Sequence, residues 1–129
     1  MFQLRCDCIY IRKYPCLHAP GGAESGKYSL YISLINLGEV LYIIEREKDL
    51  HVAQRTLAAV DQLPLQIVPV SRATVLAAAH VKARYRISCA DAFAVATAQD
   101  YHCVLLAGDP EFGMVESDGL IAVERLSRR

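Results

Sequence analysis

From residue 30 onward, apolar and polar positions fall into blocks whose period switches between two and about three and a half. The run "LYISLI" (30–35) predicts a strand, and "NLGEVLYIIEREK" (36–48) predicts the helix that follows it. A second helix is expected over 49–62, where Leu50, Ala53, Leu57 and Val60 recur at spacings of three and four. "LQIVPV" (65–70) reads as a strand with Pro69 near its end or at an edge. Ser71 is placed to cap a helix running to about Arg84, and "ISCADAFAVATAQD" (87–100) predicts another. "CVLLA" (103–107) is a short buried strand and "LIAVERL" (120–126) the last. Strands alternating with helices in this rhythm predict an α/β fold, a three-layer α/β/α domain with a mainly parallel central sheet. Residues 1–29 differ: they hold three of the five cysteines, three of the seven glycines and two of the five prolines, with no sustained period.

Composition narrows the picture. A chain of 129 residues forms a single domain able to bury about two-thirds of its unfolded surface. Hydrophobic content of 53% argues for a packed core and against disorder. Fourteen basic residues balance fourteen acidic ones, so no global field draws in nucleic acid, and any such contact must come from a local patch. The five cysteines are odd in number, which suits a reducing, cytoplasmic setting better than a disulfide scaffold. Arg5, Asp7, Arg12 and Lys13 interrupt every apolar run near the N-terminus, against a secretory leader. Asn36, Gly38 and Glu39 interrupt the apolar stretch 28–44, against a membrane span.

Three carboxylates then stand out by topology. Asp91 lies in the first turn of its helix and Asp109 ends the next strand, so the chain reversal brings the two together. Glu39 is expected in the first turn of the helix after the strand 30–35, at the same carboxyl edge of the sheet. That edge is where open α/β folds place their sites. Each carboxylate also has a structural reading. "SCAD" is a capping box with Ser88 at the cap, "NLGE" has the same form with Asn36 as cap, and "AGDP" suits a turn. Caps alone do not explain why three acids should converge. Converging carboxylates raise one another's pKa unless a cation neutralises them, and oxygen donors suit Mg²⁺ or Mn²⁺. Phosphodiester hydrolysis is the reaction such an ion serves best.

The segments "LYISLINLGEVLYIIERE", "VPVSRATVLAAAHVKARYRISCADAFAVATAQ" and "VLLAGDPEF" resemble, in order, the PIN-domain family and within it the VapC-type toxins. The resemblance covers roughly residues 28 to 126, about three-quarters of the chain. It implies a Mg²⁺-dependent (or Mn²⁺-dependent) ribonuclease of a toxin–antitoxin pair, often a homodimer, held in check by a small antitoxin. Glu39, Asp91 and Asp109 fall on three of the family's acidic positions, and Asn36 matches a residue that flanks the site. The departures lie at the N-terminus, which is divergent or the product of a reading-frame change. Family members open with an apolar strand ending in an aspartate; here the candidate fourth ligand is Asp7 in "LRCDCIYI", and the second helix expected next is missing. Ala107 also stands where the family has Thr or Ser before Gly-Asp.

Lys82, Arg84 and Arg86, in "HVKARYR", precede the Asp91 helix and are candidates to hold an RNA backbone. Their structural reading is a solvated helix end matched to the dipole. Tyr85 between them fits a core or rim position better than a base-stacking one. "CDC" with Cys16 and His18 matches no common zinc spacing. No nucleophile elbow or glycine-rich phosphate loop is present. Two rival readings remain: a catalytically impaired PIN-like protein that only binds an antitoxin or other partner, and a receiver-like domain. The second needs adjacent acids after the first strand and a late lysine, which the sequence does not show.

Overall fold

The computed structural model describes residues 10–13, 29–107 and 110–125. The elements run in the order β1 (Tyr10–Lys13), β2 (Ser29–Ser33), α1 (Leu34–Glu47), α2 (Leu50–Asp61), β3 (Leu65–Val68), α3 (Arg72–Arg84), α4 (Cys89–Asp100), β4 (Cys103–Ala107), a 3₁₀ turn (Pro110–Phe112), α5 (Gly113–Ser117) and β5 (Val123–Arg125). The five strands form one sheet in the order β3-β2-β1-β4-β5. β2 and β3 pair in parallel, as do β4 and β5, while β1 is antiparallel to both of its neighbours, β2 and β4. Four strands therefore share one direction, as the α/β reading requires, and the central strand alone opposes them. Reversal of β1 has a consequence for the site. Tyr10, which opens β1, pairs with Leu106 near the end of β4, so β1 starts at the carboxyl edge of its neighbours.

Helix α4 is the centre of the molecule. Every residue from Asp91 to Ala98 is buried, and the helix packs against α3, α1 and strands β1, β2 and β4. A helix apolar on all faces has no solvent side to present, so it must be enclosed. Its alanines at 92, 94, 96 and 98 let neighbours approach closely, and Ala78 and Val81 of α3 lie buried in the same cluster. Phe112, Leu105 and Val95 complete that cluster with essentially no exposure. Burying a side chain of that size contributes roughly 1.5–3 kcal/mol each.

Several boundaries differ from those read off the sequence. The strand expected over 30–35 ends at Ser33, because the Ser33 hydroxyl accepts a hydrogen bond from the Asn36 amide at 3.1 Å and starts the helix there. Asn36 is thus not the cap, and Glu39 sits in the second turn of α1 rather than the first. β3 stops at Val68, just before Pro69, and β5 begins at Val123 rather than Leu120. Residues 110–117, which carry Pro and Gly, form the 3₁₀ turn and α5 that periodicity did not announce. The Ser71 and Ser88 caps are where the sequence puts them.

Candidate active site

The carboxyl edge of the sheet gathers the ends of β2 and β4 and the starts of α1, α4 and the 3₁₀ turn. Two polar residues knit it together. Asn36 is only 3% exposed, and its amide nitrogen donates to the Ala90 carbonyl at 3.0 Å while its amide oxygen accepts from the Ser33 hydroxyl. One side chain thus ties the first turn of α1 to the first turn of α4, and its hydrogen-bonding groups are paired in a buried place. Ser88 caps α4 by accepting from the Asp91 amide at 3.1 Å.

Asp91 is 7% exposed, and its carboxyl is pushed up from 3.8 to about 7. Burial is the largest cause. The Ser88 hydroxyl works the other way, a hydrogen bond and the charge of Glu111 raise it, and the charge of Glu39 raises it further. A helix N-terminus favours a carboxylate by about 0.3–1 kcal/mol. The rise to about 7 shows that burial and like-charge repulsion win over cap and dipole together. Glu39, half-buried on α1, is also raised by burial.

Glu111 is a site residue that the sequence reading passed over. It lies in the 3₁₀ turn two positions after Asp109, and the acidic pair in "GDPEF" was the signal that could have found it. Asp109 and Asp7 lie outside the described residues, as do Cys6, Cys8, Cys16 and His18. Among the described residues no three His, Cys, Asp or Glu side chains are grouped closely enough to hold an ion by themselves. The donors present are nonetheless carboxyl oxygens, with Asp91 buried, Glu39 half-buried and Glu111 exposed, and that chemistry fits a hard divalent cation.

The basic residues sit where α3 hands over to α4. Lys82 donates to the Ile87 carbonyl at 2.9 Å, and Lys82 and Arg84 fall in the last turn of α3, matched to its dipole. The Arg84 guanidinium lies 5.7 Å from the centre of the Tyr85 ring, and Arg86 is exposed. Tyr85 itself is buried and its hydroxyl donates to Asp118 at 2.7 Å, so it is a core residue and not a stacking platform. No helix among the described residues is long and apolar enough to cross a membrane.

Comparison with known proteins agrees with this geometry. Structurally, the chain is similar to VapBC2 from Rickettsia felis, solved bound to a DNA fragment from the promoter of the pair, at a TM-score of 0.61 and 18% identity over 75% of this chain and 74% of that one. No curated protein matches the sequence. The PIN domain model matches residues 22–116, a span that takes in Asn36, Glu39, Ser88, Asp91, Asp109 and Glu111 and leaves Asp7 outside. With most of its length matched, a buried acid at the start of α4 and the fold of a VapBC complex, the chain belongs to the PIN-domain family.

Proposed function

We propose that this chain is a divalent-metal-dependent endoribonuclease, the toxin of a toxin–antitoxin pair acting in the cytoplasm. The observation that carries the reading is the buried carboxyl of Asp91, crowded by Glu111 and Glu39 at the carboxyl edge. Mg²⁺ or Mn²⁺ would be held by Asp91, Asp109 and Glu39. Asp7 precedes in sequence the strand that starts at this edge, and is the candidate fourth ligand. When bound, the ion neutralises these acids, polarises a phosphoryl oxygen and makes an attacking water more acidic. Asp91 holds its carboxyl fixed through the Ser88 cap, and Asn36 keeps the α1 and α4 ends in register. The Glu111 carboxyl, beside Asp91, adds a further acidic group at this edge. Lys82, Arg84 and Arg86 lie along the α3–α4 turn as contacts for the RNA backbone.

The family membership and the likeness to a VapBC complex support a small antitoxin as partner. Val75 and Leu76 are 44% and 58% exposed on α3, and only Ala78 and Val81 of that helix are buried, which supports a homodimer through its outer face. The function is tested by incubating purified protein with RNA in Mg²⁺ or Mn²⁺, beside Asp109→Asn. Wild type should cleave, and the variant should lose at least about a hundredfold in rate, the scale of losing one charge-stabilising group. Equal cleavage by both would refute the carboxylate mechanism. No cleavage by either would favour the impaired, partner-binding alternative.

A further inference from the structure

Two side-chain contacts join the same two stretches of chain. At one end the Tyr85 hydroxyl donates to the Asp118 carboxylate at 2.7 Å; at the other, the Glu111 carboxyl lies close enough to Asp91 to act on it. Tyr85 partners Asp118 while Asp91 partners Glu111, so the stretches 85–91 and 111–118 pass each other in opposite sense. Between the two clasps lie Ile87, Phe112 and Val115, all buried in one cluster. The 85–91 stretch delivers Asp91 to the site, and the 111–118 stretch delivers Glu111.

We propose that Tyr85 and Asp118 form a positioning pair for the carboxylate site, a distal clasp that sets the spacing between Asp91 of α4 and Glu111 of the 3₁₀ turn. This inference rests on the metal reading above. Neither residue touches the reacting atoms; they act through the segments they join. α5 is only five residues long, so its own helical hydrogen bonds cannot hold it in place. Its anchors are the apolar contacts of Phe112 and Val115, which resist separation but tolerate sliding, and the Tyr85–Asp118 bond, which fixes direction. The Lys82 ammonium, bonded to the Ile87 carbonyl, stiffens the other strand of the clasp.

The pair is well suited to a clean test. Tyr85→Phe removes the hydroxyl but keeps the buried ring, and it leaves only Asp118, which is exposed and can be hydrated. Asp118→Asn keeps an oxygen acceptor for Tyr85, and Asp118→Ala removes it. The readouts are Mn²⁺ affinity of the full chain by calorimetry and hydrogen exchange at the Asp118, Gly119 and Leu120 amides. Those amides are bonded to Met114, Glu116 and Val115 and report opening of α5.

Tyr85→Phe and Asp118→Ala should each weaken Mn²⁺ binding roughly three- to tenfold, the range a single net hydrogen bond can transmit. Exchange at the three amides should quicken in both, while Asp118→Asn stays close to wild type. A faster exchange with unchanged Mn²⁺ affinity would make the bond merely structural and overturn the proposal. So would an Asp118→Asn variant as weak as Asp118→Ala, since the charge and not the bond would then matter. A wild-type protein that binds no Mn²⁺ would overturn the metal reading itself and this inference with it. Binding by wild type and Tyr85→Phe alike would overturn only the positioning role.

Discussion

Asp91 carries a proton at pH values where an ordinary aspartate has lost it, and this has a sign that can be worked out. Its carboxyl titrates near 3.8 when the chain is unfolded and near 7 when folded. The folded state therefore holds a proton that the unfolded state releases, and the stability this provides is present in full below about 3.8 and gone above about 7. Urea unfolding in the presence of a chelator should show stability falling as pH rises across that window. Asp91→Asn should remove much of the fall, since it mimics the protonated acid and can still bond Ser88 and Glu111. A slope that survives unchanged in the variant would place its origin elsewhere. Asn36 is the other residue whose environment decides its effect. Asn36→Ala removes the buried acceptor of the Ser33 hydroxyl and the side-chain donor to the half-buried Ala90 carbonyl, while the backbone amide at 36 still bonds Ser33. A loss of about 2–3 kcal/mol in urea unfolding is expected, and a loss below about 0.5 would mean that water replaces the amide fully.

Among the elements, α4 was legible because its residues leave no choice. "CADAFAVATAQ" is apolar on every side, starts after a serine and contains no breaker, so it reads as an enclosed, capped helix. That reading also put Asp91 at its N-terminal end, where it is. Other boundaries were hidden for physical reasons. "LYISLI" alternates as a strand through Ile35, and only the hydrogen bond made by Ser33 ends it early, a local choice between two equally apolar continuations. β1 is short, carries Arg12 and Lys13, and is held by pairing with strands distant in sequence, which no local period reveals. The 3₁₀ turn and α5 follow a Pro and begin at a Gly, so turn chemistry masked them, and Glu111 with them. The close packing around α4 has its own test. Ala94 is fully buried, and Ala94→Leu should destabilise the protein by about 1–3 kcal/mol through overpacking. A neutral effect in thermal unfolding would show that α4 is less tightly enclosed than described.

Taken whole, the molecule spends its most enclosed helix on presenting one acid to one edge of the sheet. Alternation of strands and helices fixed that edge in advance; the arrival of Glu111 there depended on the 3₁₀ turn and α5, which pack through Phe112 and Val115. The outer face of α3 bears on assembly. Leu76→Glu should shift a dimer toward monomer in sedimentation while leaving the fold intact, because Leu76 makes no core contact that the charge would disturb. An unchanged sedimentation coefficient for a wild-type dimer would put its interface elsewhere. The central claim is that the crowded carboxylates around Asp91 are a divalent-cation site, and it is tested most directly by calorimetric titration of Mn²⁺ into the wild-type protein at pH 6 and pH 8. The cation must displace the proton held by Asp91, so binding should be about tenfold tighter at pH 8 and release about one proton per ion at pH 6. Binding that is equal at the two pH values and survives in Asp91→Asn would contradict it.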